Sequence, residues 1–337
     1  MSAARNNTIY DVMIRIFIFG RLARRPYMKG APMSLIVSNL TKRFGPKTAV
    51  DRLSFTMSEP GVYGLIGTNG AGKTTTIRMI LGMLPADGGQ ADWNGKPVAK
   101  AVRYGYMPEE HGIYMKTKVI EQLVYFGMLR GMGRAEALKA GHSWLQRLKV
   151  TEYENELAEK LSKGNQQKIQ LISTLIHDPQ LLFLDEPFSG LDPLNTQQFH
   201  ELIQEMAGEG KYIILSSHQM ATVEEYCREI TLLHKGKALL QGNLKRIKAG
   251  YGHTKLVLGA PEAAYAMARE AGLRQAETRP EEAIFDLPGR DPDNLCERLL
   301  RDMLAQGIMP AKFEMSEPTL HEIFIKIVGE EEGRQAV

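Results

Sequence analysis

A glycine-rich segment that ends in lysine and threonine is the clearest chemical feature of the sequence. Glycines let the backbone turn tightly so that successive N–H groups face phosphate oxygens, and a following helix adds its positive end. In such a segment Lys73 reaches the β- and γ-phosphates, and the Thr74 hydroxyl binds Mg²⁺. We predict a nucleoside triphosphate site here, with Thr75 also in contact. The segment fits GxxxxGK[ST] at every position and consists of Gly67, Thr68, Asn69, Gly70, Ala71, Gly72, Lys73 and Thr74.

Two adjacent acidic residues follow the continuous apolar run Leu181–Leu184. Such a run is typical of a strand that is buried on both faces of a parallel sheet. At the end of this strand, Asp185 can hold Mg²⁺ directly or through water, which is the Walker B role. Glu186 then emerges near the γ-phosphate, where its carboxylate can orient or deprotonate an attacking water. These two carboxylates supply the second half of a hydrolytic nucleotide site.

A five-residue segment that begins at Leu161 narrows the prediction to one family of P-loop ATPases. It resembles the LSGGQ signature of ABC-family ATPases, with matches at Leu161, Ser162 and Gly164. Lys163 and Asn165 depart from that signature. Lys163 adds a positive charge, which either assists binding of the γ-phosphate of an ATP on a second cassette or lies in solvent.

Three further segments extend the resemblance to the ABC family. Ser189–Asp192 is similar to the D-loop of the family, and His218, after a strand-like run, is similar to its switch histidine. Phe44 stands where the family places an aromatic ring against adenine. The match covers about residues 34–250 in the order typical of the family.

This resemblance implies a mechanism that requires two cassettes. Cassettes of the family pair head to tail, either as a homodimer or with a second kind of cassette, and ATP with Mg²⁺ is their cofactor pair. Ser162 and Gly164 would then contact the ATP that is bound at Lys73 of the partner. Lys73, Glu186 and His218 are the predicted catalytic residues.

Glu109 departs from the family pattern at the Q-loop. The family has glutamine after the strand Tyr104–Met107, whereas this chain has glutamate. A carboxylate can still accept a hydrogen bond from metal-bound water, but an ionised one cannot donate. We therefore assign Glu109 to the metal site together with Thr74 and Asp185, and expect altered coupling without loss of hydrolysis.

The pattern of apolar residues predicts an α/β fold with a mostly parallel core sheet for the first part of the chain, and Asn94-Gly95 predicts a hairpin turn. The resemblance implies that this part is a P-loop NTPase of the ABC cassette type, with an antiparallel β subdomain and a helical subdomain. The predicted strands are Leu35–Val37, Leu53–Met57, Val62–Ile66, Tyr104–Met107, Leu181–Leu184, Tyr212–Leu215 and Ile230–Leu233. The predicted helices are Lys73–Leu84, Val119–Arg130, Arg134–Leu148 and Gln166–His177.

The pattern changes after residue 250, and a small α+β domain is predicted there. Residues 251–337 carry a net charge of −6 and residues 1–250 a net charge of +9. We therefore predict an ABC ATP-binding domain at 34–250, with its helical subdomain at about 109–161, and an accessory domain at 251–337. The predicted strands of the accessory domain are Lys255–Leu258, Ala283–Leu287 and Lys312–Met315. Its predicted helices are Pro261–Ala271, Asp293–Gln306 and Thr319–Val328.

Residues 1–33 form a basic N-terminal extension in which the first 32 residues hold five arginines and one lysine against one aspartate. A poorly ordered extension is the main interpretation, since chain termini are seldom ordered unless they are tied down. The alternative is a basic amphipathic segment on an anionic membrane surface.

Composition limits the compartment and the classes of site. The two cysteines, Cys227 and Cys296, are far apart, which argues against a disulfide framework or a zinc site and favours a reducing cytoplasm. No apolar run approaches the ~18 residues of a membrane-spanning helix, so any work at a membrane needs a partner. We expect the protein at the cytoplasmic face of the cell membrane, bound peripherally.

The partner class follows from comparison within the ABC family. Chromosome-associated members carry a very long coiled coil between P-loop and signature, but only 88 residues separate Lys73 from Ser162, so no nucleic acid partner is expected. Translation factors carry two cassettes, whereas this chain has one P-loop. We expect a transporter motor with a separate permease, and Met107–Gly112 and Glu317–Phe324 are similar to bacterial exporter cassettes, including sodium-extrusion types. The alternative is a stand-alone regulatory ATPase that acts on a soluble or ribosomal partner.

Overall fold

The computed structural model describes residues 33–110, 112–288 and 291–335. The predicted N-terminal extension lies outside these ranges, apart from Met33. The chain divides into two compact units, the first ending at Gln241 and the second beginning at Gly242. This division falls before the predicted boundary, because the helix Leu244–Tyr251 belongs to the second unit.

An antiparallel sheet in the order β2-β1-β4-β5 opens the first unit. The sequence predicts only the beginning of β1 and the end of β2. Register shifts after Val37 and Leu40 interrupt the alternation of buried and exposed residues in the rest of the pair. The predicted hairpin turn is confirmed, since Asn94 and Gly95 have φ of 50° and 75° between β4 and β5. The four strands are β1 (Leu35–Phe44), β2 (Lys47–Met57), β4 (Gly88–Trp93) and β5 (Lys96–Pro97).

The central sheet has six strands in the order β10-β9-β3-β8-β7-β6. Pairs β9–β3, β3–β8, β8–β7 and β7–β6 are parallel, which confirms the predicted parallel core. The sequence does not predict β10, a partly exposed edge strand that follows β9 across the turn Lys235–Gly236. The strands are β3 (Gly61–Ile66), β6 (Tyr104–Met107), β7 (Leu181–Asp185), β8 (Tyr212–Ser217), β9 (Glu229–His234) and β10 (Lys237–Asn243).

Helices connect these strands, and two ends of the helices predicted in this unit differ from the structure by three residues or more. The first helix ends at Ile80 and not at Leu84, because Gly82 takes φ of 68° and reverses the chain. The signature helix begins at Lys163 and not at Gln166, because Ser162 caps it. The helices are α1 (Lys73–Ile80), α2 (Val98–Ala101), α3 (Val119–Leu129), α4 (Arg134–Arg147), α5 (Lys163–Leu175), α6 (Pro193–Gly208) and α7 (Met220–Tyr226).

Helices α3 and α4 lie within the predicted helical subdomain and pack on each other, and each carries a fully buried leucine, Leu123 on α3 and Leu145 on α4. Gly131, with φ of 87°, reverses the chain between them. Among the described helices, none is both long enough and apolar enough to cross a membrane.

The second unit is a βαββαβ arrangement whose antiparallel sheet has the order β12-β13-β11-β14. This is the split βαβ topology of ferredoxin-like folds, and it specifies the predicted α+β class. Its core includes Leu256, Leu258, Phe285 and Met303. The fourth strand, β12, is not predicted because it is polar and mostly exposed. The elements are α8 (Leu244–Tyr251), β11 (Lys255–Gly259), α9 (Glu262–Glu270), β12 (Arg274–Thr278), β13 (Ala283–Asp286), α10 (Pro292–Ala305), β14 (Lys312–Ser316) and α11 (Leu320–Gln335).

Candidate nucleotide site

The glycine-rich segment forms a tight loop between β3 and α1. Gly67 and Gly72 have φ of 153° and 111°, a region that favours glycine. A Cβ on Gly67 would lie 2.3 Å from the carbonyl oxygen of Leu233, and one on Gly72 would lie 2.5 Å from that of Ala49. Both positions therefore require glycine, and the loop reaches α1 at Lys73 with the helix N-terminus behind it.

Lys73 is buried and its ammonium group is surrounded by oxygen atoms. Nζ donates to the carbonyl oxygen of Gly67 at 2.7 Å and lies 3.1 Å from Oε1 of Glu186. Burying a lysine in this way needs such partners, because an unpaired buried charge is costly. Phosphate oxygens can replace the neutral carbonyl, so the ammonium is placed to receive an anion.

Asp185 lies at the end of β7 and is completely buried. Burial raises the pKa of its carboxyl, and the Ser216 and Thr74 hydroxyls beside it oppose that rise. Ser216 Oγ donates to Oδ1, whereas Oδ2 has no hydrogen-bond partner among the described residues. A carboxylate oxygen that is buried and unpaired next to Thr74 suits Mg²⁺, which favours one or two carboxylates together with phosphate oxygens. The residues present therefore fit the ion.

Glu186 is held in an unusual backbone conformation at the carboxyl end of β7. Its φ is 51°, which is strained for a residue with a side chain, and such strain concentrates at functional sites. The backbone N–H of Glu186 donates to both the carbonyl oxygen and the hydroxyl of Ser216, at 3.2 and 3.1 Å. Nδ1 of His218 lies 2.9 Å from Oε2 of Glu186. Three predicted catalytic residues, Lys73, Glu186 and His218, thus meet around one carboxylate.

A cleft of about 480 Å³ opens in front of this carboxylate. Phe44 lines it and is half exposed, and Lys47 and Thr75 line it as well. The predicted aromatic ring and the predicted phosphate loop therefore share one cavity. Its lining residues are Phe44, Lys47, Ala49, Asn69, Gly70, Gly72, Lys73, Thr74, Thr75, Glu109 and Glu186.

Glu109 lines the same cleft from the segment that follows β6. Partial burial and the nearby carboxylates of Asp185 and Glu186 raise the pKa of Glu109, while Lys73 and His218 act against that rise. The backbone on either side of it is fixed by Gln170 of α5, whose Nε2 donates to the carbonyl oxygens of Pro108 and Glu110 at 2.6 and 3.3 Å.

Replacing Glu109 by glutamine is expected to stabilise the nucleotide-free protein at neutral pH. A raised pKa means that folding disfavours the ionised form, so Glu109 lowers stability increasingly as pH rises through its folded-state pKa. Because the side chain is largely exposed, the gain should stay below about 1 kcal/mol. Urea unfolding of Glu109→Gln measures the gain, which should vanish below pH 4.5, the ordinary pKa of a glutamate.

The control for this measurement is Glu110→Gln, which removes a neighbouring exposed carboxylate outside the cleft lining. Equal pH profiles for Glu109→Gln and the unmodified chain would contradict the electrostatic interaction between Glu109 and the two buried carboxylates.

Ser162 and Gly164 do not belong to the described lining of this cleft. Ser162 is exposed and its hydroxyl accepts a hydrogen bond from the backbone N–H of Asn165 at 3.3 Å, which caps α5. A Cβ at Gly190 would lie 2.4 Å from Nζ of Lys163, so this lysine extends across the backbone of the D-loop-like segment. Lys163 itself is exposed, and both positions expected for its charge, near a partner's γ-phosphate or in solvent, stay predictions.

Sequence reasoning did not identify two glutamines of α5 that hold the site together. Gln170 fixes the backbone around Glu109, and Nε2 of Gln167 donates to the carbonyl oxygens of Pro187 and Ser189 at 3.3 and 3.0 Å. Both side chains are buried. The sequence signal that could have identified these two residues is a helix with polar residues on every face after a capping serine. Some of those polar residues must be buried, and buried amides require hydrogen-bond partners in other segments.

Comparison with known families gives two matches, one within each of the two units. Residues 50–189 match the family described as ABC transporter. Residues 242–328 match the family described as ATP-binding protein DrrA1-3-like, C-terminal domain.

Individual relatives are similar over most of the chain. The uncharacterized ABC transporter ATP-binding protein YhaQ of Bacillus subtilis is 42% identical over 297 residues, which cover 88% of this chain and 98% of that protein. The linearmycin resistance ATP-binding protein LnrL of the same species is 30% identical over 305 residues, again 88% of this chain and 98% of that protein. A solved structure described as the ATP binding subunit of an ABC transporter is 30% identical, with a TM-score of 0.60 over 65% of this chain and 93% of that chain. These likenesses confirm the predicted cassette fold.

Proposed function

The chain belongs to the family of ABC transporter ATP-binding proteins, and from this membership we propose that it hydrolyses ATP as a nucleotide-sandwich dimer to drive a separate membrane subunit. Cassettes of this family bind nucleotide, and family membership implies hydrolysis of ATP. The observation that carries the proposal is the carboxylate of Glu186, which lies between the Lys73 ammonium and the His218 ring beside the phosphate loop.

Binding begins at the loop between β3 and α1. The triphosphate lies over the backbone N–H groups of the loop, and Lys73 exchanges its contact with the Gly67 carbonyl for the β- and γ-phosphates. The base lies against Phe44 at the other end of the cleft. Thr74 and Asp185 would hold Mg²⁺, and the bound ion would neutralise charge on the phosphate oxygens.

Hydrolysis requires a water in line with the γ-phosphate and a group that takes its proton. Glu186 is the general base, and its backbone is fixed at the end of β7 by two hydrogen bonds from its N–H to Ser216. His218 orients the carboxylate through its Nδ1. Because the His218 side chain is 41% exposed, its other face is accessible to the γ-phosphate or to a second cassette.

The composite site in a dimer is supported by the position of the signature residues. Ser162 and Gly164 lie outside the cleft of their own chain, at the N-terminus of a 13-residue helix. A helix N-terminus attracts phosphate, and Ser162 and Lys163 at this one are exposed, whereas Gly164 is buried beside Asn195. We therefore assign Ser162 and Gly164 to the ATP that is bound at Lys73 of a second copy.

A membrane partner and the export direction rest on the relatives. LnrL is named for linearmycin resistance, and removal of a compound from the cell is one route to resistance. We propose an exporter whose permease is a separate chain, with this protein at the cytoplasmic face of the membrane. Residues 109–161, which include α3 and α4, are the proposed contact region.

Co-purification from membranes tests this partnership. The tagged chain, expressed in its native host and extracted with mild detergent, should carry a protein with several apolar spans of about 20 residues each. The bound fraction should be identified by mass spectrometry, and Lys96→Met, a change at an exposed lysine of β5, serves as a control for surface charge. Recovery of ribosomal or soluble proteins alone would favour the stand-alone regulatory ATPase.

A further inference from the structure

Lys42 is a buried lysine at the end of β1 that the phosphate chemistry does not use. Its Nζ donates to the carbonyl oxygen of Pro85 at 2.7 Å and to Oδ1 of Asp87 at 3.0 Å. The same ammonium lies 5.6 Å from the centroid of the Phe44 ring, within the range of a cation–π contact. Lys42 therefore joins the Phe44 ring, which is the proposed platform for the nucleotide base, to a segment that lies more than 40 residues further along the chain.

Asp87 completes this connection on its other side. Its Oδ2 accepts a hydrogen bond from the backbone N–H of Arg43 at 2.6 Å, and its own N–H donates to the carbonyl oxygen of Thr41 at 2.9 Å. The hydrogen bonds from Arg43 and Lys42 lower the pKa of Asp87, so the carboxylate stays charged at neutral pH. Four hydrogen bonds thus fix the end of β1 to the Pro85–Asp87 segment.

The Pro85–Asp87 segment belongs to the loop that leaves α1. Helix α1 begins at Lys73 in the phosphate loop and ends at Ile80, and this exit loop follows it. The two ends of the nucleotide cleft, the phosphate loop and Phe44, are therefore linked through one short helix and the Lys42–Asp87 ion pair. A shift of that pair would change the distance between them.

We propose that Lys42, held by Asp87, is a positioning residue for the nucleotide base. It fixes the Phe44 ring relative to the phosphate loop and occupies one face of the ring. Phe44 is half exposed, so its other face is free to stack on adenine. This role rests on the proposed binding of ATP, and it distinguishes nucleotides from ligands that have phosphates but no base.

The test compares ATP with inorganic triphosphate, both with Mg²⁺, by calorimetry on the full chain. Lys42→Met keeps the aliphatic stem and removes the charge, and it should weaken ATP binding by about three- to fivefold. Binding of triphosphate should not change, because that ligand does not reach Phe44. Asp87→Asn should act in the same direction, Lys42→Arg should restore part of the affinity, and Lys96→Met, an exposed lysine of the same sheet, should have no effect.

A double-mutant cycle separates positioning from general stability. In a Phe44→Ala chain, Lys42→Met should have no further effect on ATP affinity, since its effect passes through the ring. Equal weakening of ATP and triphosphate, or an undiminished effect in the Phe44→Ala chain, would overturn the role of Lys42. If Lys42→Met does not fold, Asp87→Asn, whose side chain is partly exposed, decides the question by the same comparison.

The Phe44→Ala chain also keeps the two proposals apart. If Phe44→Ala alone binds ATP as tightly as the unmodified chain, the base platform itself is wrong. If Phe44→Ala weakens ATP binding and Lys42→Met does not, the base platform stands and only the positioning role of Lys42 is lost.

Discussion

Glu186→Gln is expected to bind MgATP with nearly unchanged affinity and to hydrolyse it about 10²–10⁴-fold more slowly, which is the usual contribution of a general base. The amide has the shape of the carboxylate but cannot take a proton from water. Glu186 lies beside the phosphate loop and contributes no phosphate ligand, so binding should survive its loss. Removing its charge also frees Lys73, whose ammonium lies 3.1 Å from the carboxylate.

The same variant should accumulate as an ATP-bound dimer. If hydrolysis reopens the paired cassettes, blocking it leaves ligand and dimer locked together in the closed state. Phosphate release measures turnover, and size-exclusion chromatography with MgATP measures the dimer. Glu59→Gln is the matched control, because Glu59 is an exposed glutamate. It precedes the amino end of β3, whereas the phosphate loop follows the carboxyl end of that strand. Turnover at the normal rate would remove Glu186 from the mechanism.

Mixing Lys73→Ala chains with Ser162→Ala chains is expected to restore hydrolysis that neither variant has alone. Lys73→Ala should weaken ATP binding by about 10- to 100-fold, as expected for the loss of hydrogen bonds to a charged group. Ser162→Ala should keep ATP bound at its own Lys73 but lose the contact to the partner's nucleotide. In a mixed dimer one composite site has both Lys73 and Ser162 intact, and the other has neither.

Random pairing in an equal mixture makes half of the dimers mixed, so the activity should rise toward about a quarter of the unmodified rate. Thermal unfolding must be measured in parallel, because Ser162 also caps α5 and loss of such a cap costs about 1 kcal/mol. A mixture that is no more active than its components would argue that each chain builds its site alone. Unchanged ATP affinity in Lys73→Ala would argue against the phosphate loop itself.

The local parts of the site could be predicted because their chemistry is continuous along the chain. The phosphate loop needs glycines at fixed places, and Gly67 and Gly72 occupy positions that admit no Cβ. Asp185 and Glu186 follow a strand whose apolar run shows that it is buried. The sequence by itself therefore determined the cassette class, the parallel core and the main residues of the candidate site.

The parts that the sequence does not predict depend on contacts between distant segments. The full length of β1 is hidden by register shifts, and β12 is hidden by its exposed polar residues. Gln170 and Lys42 look like ordinary polar residues until folding brings Pro108 and Asp87 beside them.

Only the tertiary structure decided how the carboxylate of Glu186 meets Lys73 on one side and His218 on the other. Glu186 directly follows β7, Lys73 begins α1 after β3, and His218 directly follows β8. Because β3, β8 and β7 are neighbouring parallel strands, their carboxyl ends lie at one edge of the sheet. The spacing of these residues in the sequence does not give the distances between their side chains. Those distances depend on the order of strands in the sheet and on the turn at each strand end.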